Sequence, residues 1–305
     1  LLAVTSLFLL NLHRRPYFAV GWFWYLGTLV PVIGIVQGGL WPAMADRWAY
    51  IPLVGLFVII AWGASDMAAR WRHGKATLTV MAVSVICCFS LITRTQLQHW
   101  ENSETLFRHT LAVTQKNPVA HNNLANALLA KGKAKIAIKH FAAVLALKPN
   151  NAKAHNNLGN AFMKLERVDE AIGHYRESIE LAPHVARTHN NLGVALYRQE
   201  RVPESIRHFQ KALRLKPDYA DAYNNLGAAY RKAGQGGNAA RSYLKAIQLR
   251  SDFAEAYNNL GILLWHQGKL RTASFYFHKA LASKPGYKKA QDNLDKLKAA
   301  QEQYN

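Results

Sequence analysis

The stretch Asn156-Asn157-Leu158-Gly159, followed by Ala171, Tyr175 and Pro183, decides how this chain is read, because it returns every 34 residues. Asn-Asn-Leu recurs at 122–124, 190–192, 224–226 and 258–260, then drifts to Asp292-Asn293-Leu294. Gly193, Gly227 and Gly261 follow in register, with Ala125 in the first copy. Further along each copy stands a small residue (Ala137, Ala171, Ser205, Ala239, Ala273), and four later an aromatic (Phe141, Tyr175, Phe209, Tyr243, Phe277). Pro149, Pro183, Pro217 and Pro285 close the copies, with Ser251 in the remaining slot. A small residue lets two helices approach, and the leucine and aromatic fill the groove between them. Proline cannot continue a helix and disfavours helix at the residue before it, so it ends each unit. A hairpin of this kind buries its apolar face only by stacking on the next, which builds a superhelix with a concave inner surface.

Period and pattern together resemble the tetratricopeptide repeat, a helix–turn–helix unit of 34 residues. Five complete repeats are expected at 118–151, 152–185, 186–219, 220–253 and 254–287. A polar capping helix follows at 288–305. A connecting helix at 99–117 reads as a lone second helix, since Ser103 and Phe107 fall in register with the small and aromatic positions.

Working outward from the repeats, the composition changes abruptly. The chain has 305 residues, half of them hydrophobic, and a formal net charge of +20. Residues 101–305 carry a net charge of +15, whereas residues 1–100 hold only seven basic and two acidic side chains. One water-soluble domain is excluded, as is bulk disorder, which requires few apolar residues. A disulfide framework is excluded too, because the only cysteines, Cys87 and Cys88, are adjacent. Residues 16–45, 48–65 and 76–93 contain no Asp, Glu, Lys or Arg. A spanning helix needs about 20 mostly apolar residues, so transmembrane helices are expected near 17–39, 49–66 and 76–94. Residues 1–12 read as the end of a truncated span, and the chain as the C-terminal piece of a longer protein. Buried helices of a soluble protein would need charged outer faces, which these runs lack. The fold class is therefore all-α: transmembrane helices in residues 1–98, followed by the superhelical solenoid.

His13-Arg14-Arg15 and the Arg70–Lys75 loop belong in the cytoplasm by the positive-inside rule. That places the loop between Trp41 and Trp48, and everything after Arg94, on the other face. The expected location is a bacterial cytoplasmic membrane with the repeats on the periplasmic side.

A protein or peptide ligand is expected in the concave groove. Asn123, Asn157, Asn191, Asn225 and Asn259 stand once per repeat on the first helix. A carboxamide both donates and accepts, so it can match the N–H and C=O of a peptide bond. Such a row could hold an extended chain through its backbone, and it resembles the asparagine ladder inside O-GlcNAc transferase. The competing reading is that the asparagines only cap or bridge adjacent repeats. Lys153, Arg187, Arg198 and Arg231 flank the ladder, and the summed charge favours acidic partners or an anionic surface. Nucleic acid is not expected as the partner. Neither is a metal: His121, His155 and His189 are a full repeat apart, as are His140, His174 and His208. No cofactor is expected, and residues 101–305 contain no catalytic motif.

One membrane-proximal phrase is distinctive: Trp24 to Gly34, then Asp46-Arg47-Trp48-Ala49-Tyr50-Ile51-Pro52. It resembles the last spans of the transmembrane and TPR-containing family, whose hydrophobic half looks like a GT-C type glycosyltransferase. The resemblance implies transfer of a sugar from a lipid-phosphate donor to protein hydroxyls, with acidic catalytic residues in an early loop absent from this chain. Asp46 and Arg47 match the motif and would either orient a lipid-linked phosphate or form a structural ion pair. Two functions follow as expectations: the acceptor-recruiting arm of such a transferase, or a non-catalytic, membrane-anchored scaffold for envelope proteins. In either case no residue of this chain is expected to be catalytic.

Overall fold

The computed structural model describes residues 4–6, 10, 15–29, 45–69, 71–114 and 116–302. All regular structure among the described residues is α-helical. The chain divides into two units, Leu1–Leu97 and Gln98–Asn305.

The first unit holds α1 (Pro16–Leu29), α2 (Ala45–Ala68) and most of α3 (Gly74–His99). The span expected near 17–39 is described only as far as Leu29. Residues 30–44, and most of the truncated span at 1–12, lie outside the described residues. Helices α1 and α2 pack together. Their polar link is the Tyr17 hydroxyl donating to Asp66 Oδ2 at 2.7 Å, with Arg15 Nε 3.6 Å from the same oxygen. Helix α3 is different. Val80, Met81, Val83, Val85, Ile86 and Phe89 are each between 50% and 65% exposed. At 100° per residue they cover its whole circumference. Among the described residues α3 is the one helix both long and apolar enough to cross a membrane, while Leu56–Ala68 is a shorter apolar segment.

The second unit continues with α4 (Ser103–Val113) and then five hairpins. These are α5/α6 (Pro118–Ala130, Ala134–Leu147), α7/α8 (Ala152–Lys164, Val168–Leu181) and α9/α10 (Ala186–Arg198, Val202–Leu215). Then come α11/α12 (Ala220–Lys232, Gly236–Leu249), α13/α14 (Ala254–His266, Leu270–Ser283) and the single helix α15 (Lys288–Glu302). The repeated residues form the core. Ala137, Ala171, Ser205, Ala239 and Ala273 are fully buried, as are the five aromatics four residues on. The glycine of the motif exists to admit that ring. A Cβ on Gly193 would stand 2.7 Å from Phe209, and one on Gly159 would stand 2.6 Å from Tyr175.

Local signals set the helix ends. Asn102, Asn117 and Asn151 each cap the following helix by accepting a backbone N–H on their side-chain oxygen. The turn inside each hairpin requires a left-handed residue. Gly132, Gly234 and Gly268 supply it freely at φ +74° to +76°, but Glu166 and Glu200 hold the same slot at φ 60° and 62°. Helix α4 is tied to the first hairpin by Glu104, whose carboxylate accepts from Lys131 at 2.8 Å and Arg108 at 3.0 Å. Those hydrogen bonds hold its carboxyl down at about 2.

Candidate functional site

Successive first helices touch one another directly, from α5 through α15, whereas successive second helices do not. The first helices therefore line the inside of the curve, and their exposed polar positions form its groove.

The paired asparagines line that inner surface and bridge each repeat junction; the second of each pair is half-buried apart from the buried Asn157, and Asn156, Asn190, Asn224 and Asn258 are buried. Asn157 Nδ2 donates to Asn122 Oδ1 at 3.2 Å, and Asn191 to Asn156 at 3.0 Å. Asn225 donates to Asn190 at 3.0 Å, and Asn259 to Asn224 at 2.9 Å. Asn293 completes the series by donating to Asn258 at 2.9 Å. The second asparagine of each repeat thus reaches back to the first asparagine of the repeat before it. Within the first two pairs, Asn122 also donates to Asn123 and Asn156 to Asn157, both at 3.3 Å. The bridging role weighed from sequence is present in the geometry. A carboxamide has two N–H donors and an oxygen with two lone pairs. Bridging engages only part of that capacity.

One junction carries an additional bond. Asn160 Oδ1 collects both the Tyr175 hydroxyl, at 2.7 Å, and Asn191 Nδ2, at 3.1 Å. At the far end the ladder opens into a cavity of about 430 Å³, lined by Asn258, Asn259, Ile262, Tyr287, Asn293 and Lys296 among others.

The flanking cations differ in setting. Lys153, Arg187 and Arg198 are exposed, while Arg231 is half-buried. Lys232 is held by Glu200 at 2.7 Å and lies over the Tyr197 ring at 5.3 Å. Asp46 and Arg47 sit in the first turn of α2, and their side chains lie outside what the structure describes.

The structure also makes a pairing that sequence reasoning missed. Reading the histidines along the repeats set them too far apart to share one ion, but His121, His155 and His189 each face a second-helix histidine 19 residues on. The Nδ1···Nδ1 distances are 3.0 Å for His121–His140, 3.3 Å for His155–His174 and 3.2 Å for His189–His208. The recurrence of both sets with a constant offset was the available signal. His155 Nε2 donates to the Pro149 carbonyl and His189 Nε2 to that of Pro183, which leaves each Nδ1 to accept from its partner. Burial, and then the facing His189, push His208 down to about 4. Burial also lowers His140, His174 and His189. Among the described residues no three metal-ligating side chains converge.

Fold and groove together define a tetratricopeptide-repeat protein-interaction solenoid. Family models described as tetratricopeptide repeat match residues 150–218 and 184–252, and one described as TPR repeat matches 125–166. A model described as the Est1 DNA/RNA binding domain matches residues 239–304. Over part of its length the chain is similar to protein O-mannosyl-transferases. It is 34% identical to human Protein O-mannosyl-transferase TMTC1 over 104 residues, which is 33% of this chain and 12% of that protein. It is 30% identical to human Protein O-mannosyl-transferase TMTC4 over 100 residues, 32% of this chain and 13% of that protein. The matched segment therefore spans about an eighth of the length of these relatives. Among solved structures, TTC0263, a thermophilic TPR protein of Thermus thermophilus, aligns with TM-score 0.52 and 24% identity. That alignment covers 59% of this chain and 98% of TTC0263, and it speaks to the fold alone.

Proposed function

We propose that this chain is the membrane-anchored, acceptor-recruiting part of a GT-C-like O-mannosyl-transferase, in which the solenoid holds extended polypeptide for modification. The observation that carries the reading is the carboxamide bridge at each repeat junction of the inner surface, which leaves part of the amides' hydrogen-bonding capacity unused. An extended peptide offers one N–H and one C=O per residue, and a periodic row of amides matches such a backbone whatever its side chains. The reaction class is that of the similar human proteins, which are protein O-mannosyl-transferases. A lipid-phosphate sugar would be the donor.

Membrane anchoring is supported by α3, whose apolar side chains face outward on all sides. Water would penalise that arrangement, whereas hydrocarbon is its natural solvent. The short-loop charges set the solenoid on the extracytoplasmic side. Asp46 and Arg47 would either orient a lipid-linked phosphate or form a structural ion pair. A non-catalytic scaffold would use the same groove without the transfer step.

A crosslinking experiment tests the groove without disturbing the ladder. The full chain in lipid nanodiscs carries benzoylphenylalanine at Trp265 or Tyr197 on the first helices, or at Leu244 on a second helix. A fluorescent, amidated 12-residue Ser/Thr-containing peptide should crosslink from the first two positions and not from Leu244. Equal labelling at all three positions, or labelling only at Leu244, would sink the reading. With the upstream membrane half present, mannosylation of the captured peptide separates transferase from scaffold.

A further inference from the structure

The second helices form the outer surface of the solenoid, away from the groove, and that surface has a register of its own. On a helix, positions i, i+3, i+4 and i+7 share one face. On α10 this outward face presents Arg207, Lys211 and Arg214, on α12 Arg241 and Lys245, and on α14 Lys279. These cations fall at equivalent positions of the third, fourth and fifth repeats, and no residue of the face there is acidic. The second repeat has Arg176, Glu177 and Glu180 at the same positions. The basic row is therefore a property of three particular repeats and not of the repeat itself.

Arg207, Arg214, Arg241 and Lys279 are exposed, and Lys211 and Lys245 are half-buried. None of the six forms an ion pair among the described residues. Glu204, the acid on α10, is held by Arg201 at 2.7 Å. Arg241 and Lys245 reach only neutral amides, Asn238 at 2.6 Å and Gln248 at 3.0 Å. Like charges four residues apart on a helix repel, as Arg207 does Lys211 and Arg241 does Lys245. The row therefore destabilises its own helices until an anion meets it. Two large apolar side chains stand on the same face: Leu244 is 47% exposed and Phe275 is 54% exposed. Lys279 Nζ lies over the Phe275 ring at 5.6 Å.

We infer that the outer face of the third to fifth repeats is a docking surface for an anionic lipid bilayer, with its cations on headgroup phosphates and Leu244 and Phe275 entering the interface. Basic side chains set around exposed leucine and aromatic residues suit the headgroup layer, because charge draws the surface in and burial of the apolar groups holds it. A polyanion without an apolar layer would answer the cations and leave Leu244 in water. The inference rests on the membrane-anchored reading above. Helix α4 follows α3 within a few residues, so the tether keeps a bilayer close and a weak surface contact suffices. Docking by the second helices leaves the first-helix groove uncovered for polypeptide.

The test places benzoylphenylalanine at Leu244, or at Trp265 on a first helix, of the full chain in nanodiscs that contain a trace of fluorescent phosphatidylcholine. The discs are phosphatidylcholine alone or an equal mixture with phosphatidylglycerol. Crosslinking of the tracer from Leu244 should rise several-fold in the anionic discs and fall back in high salt, which screens exposed charges. Crosslinking from Trp265 should stay at background in both. Near an anionic surface each Lys or Arg contributes about fivefold, so Arg207→Gln/Arg241→Gln/Lys245→Gln should lower the docked-to-undocked ratio about 100-fold and Arg241→Gln alone about fivefold. The same charge removed from the first repeat, in Lys135→Gln/Lys139→Gln/Lys148→Gln, should leave crosslinking unchanged. Helical circular dichroism checks that each variant is folded.

Equal crosslinking in neutral and anionic discs overturns the docking surface and leaves the anchor standing, since the chain still travels with the disc. Outer-face variants that crosslink like wild type also overturn it. So does an equal loss in the first-repeat variant, which would show an effect of net charge alone. A chain that does not co-elute with the discs overturns anchor and docking surface together. Oligouridylate that binds wild type in neutral discs and is lost in the outer-face triple variant, with lipid crosslinking the same in both discs, would reassign the face to nucleic-acid phosphate and overturn the bilayer.

Discussion

Helix α3 and the helices of the solenoid are made of similar apolar residues and meet opposite fates. Phe89 and Ile86 in α3 are 62% and 63% exposed, whereas Phe209 and Leu192 in the solenoid are each 1% exposed. The solenoid helices bury their aromatics against one another because every first helix offers a glycine or small residue for a ring to rest on. Helix α3 has an apolar side chain at every angle and no polar face to turn toward water. Stacking takes the rings out of water in one region, whereas the side chains of α3 stay exposed on every side among the described residues.

The sharpest way to break this comparison is a matched pair of truncations. Phe209→Ala should lower solenoid stability by about 3–5 kcal/mol, the cost of removing a buried aromatic and leaving a cavity. Phe89→Ala should leave thermal unfolding of the solenoid unchanged, as followed by circular dichroism in nanodiscs. Equal effects would show that α3 is part of the same core. A second substitution acts only on the other side. Ile86→Lys should disfavour insertion of α3 by about 2.5–3.5 kcal/mol. It would be read as loss of carbonate-resistant membrane association with solenoid melting intact. Retained association would remove α3 as the anchor.

Smaller effects sharpen the description of the solenoid itself. Asn225→Ala deletes one rung of the bridging ladder and should cost about 0.5–1.5 kcal/mol, the usual net value of such a bond. The sequence taken alone suggested amides facing an open groove, whose loss would barely affect stability. The bonds from Asn225 to Asn190 and from Asn259 to Asn224 change that expectation, because each joins two repeats. A measured change near zero would return the ladder to a purely ligand-facing role.

The last effect expected is a dependence on pH. His208 titrates near 4 when folded against 6.5 otherwise, so the folded state holds its neutral form. Between pH 6.5 and 4 the unfolded chain binds the extra proton, and stability contributed by the neutral pair is lost as pH falls through that window. Above 6.5 the contribution is fully present and flat. His208→Ser places the residue found in register at Ser242. That variant should melt with a shallower dependence on pH between 6.5 and 4, and an unchanged slope would contradict the assignment.

Much of the fold was legible because a repeat states its own equivalences. The recurrence of Gly159 with Tyr175 and of Gly193 with Phe209 announces a ring packed on a backbone without a Cβ, and the geometry follows directly. The groove asparagines were legible for the same reason. Their bonding was not, because the register of stacked helices advances by one residue per repeat. Asn157 therefore meets Asn122 and not its own equivalent, Asn123.

The sequence by itself determined the period, the hairpins, the buried small and aromatic positions, and the apolar character of residues 76–93. These follow from hydrophobic spacing and from residue sizes, which act locally and repeat without change. Only the tertiary structure decided which non-equivalent positions touch. It paired His155 with His174 across a hairpin and linked Asn157 to Asn122 across a junction. Those contacts depend on the crossing of helices and the turn of the superhelix. Both arise from packing between units, where a list of equivalent positions carries no distance.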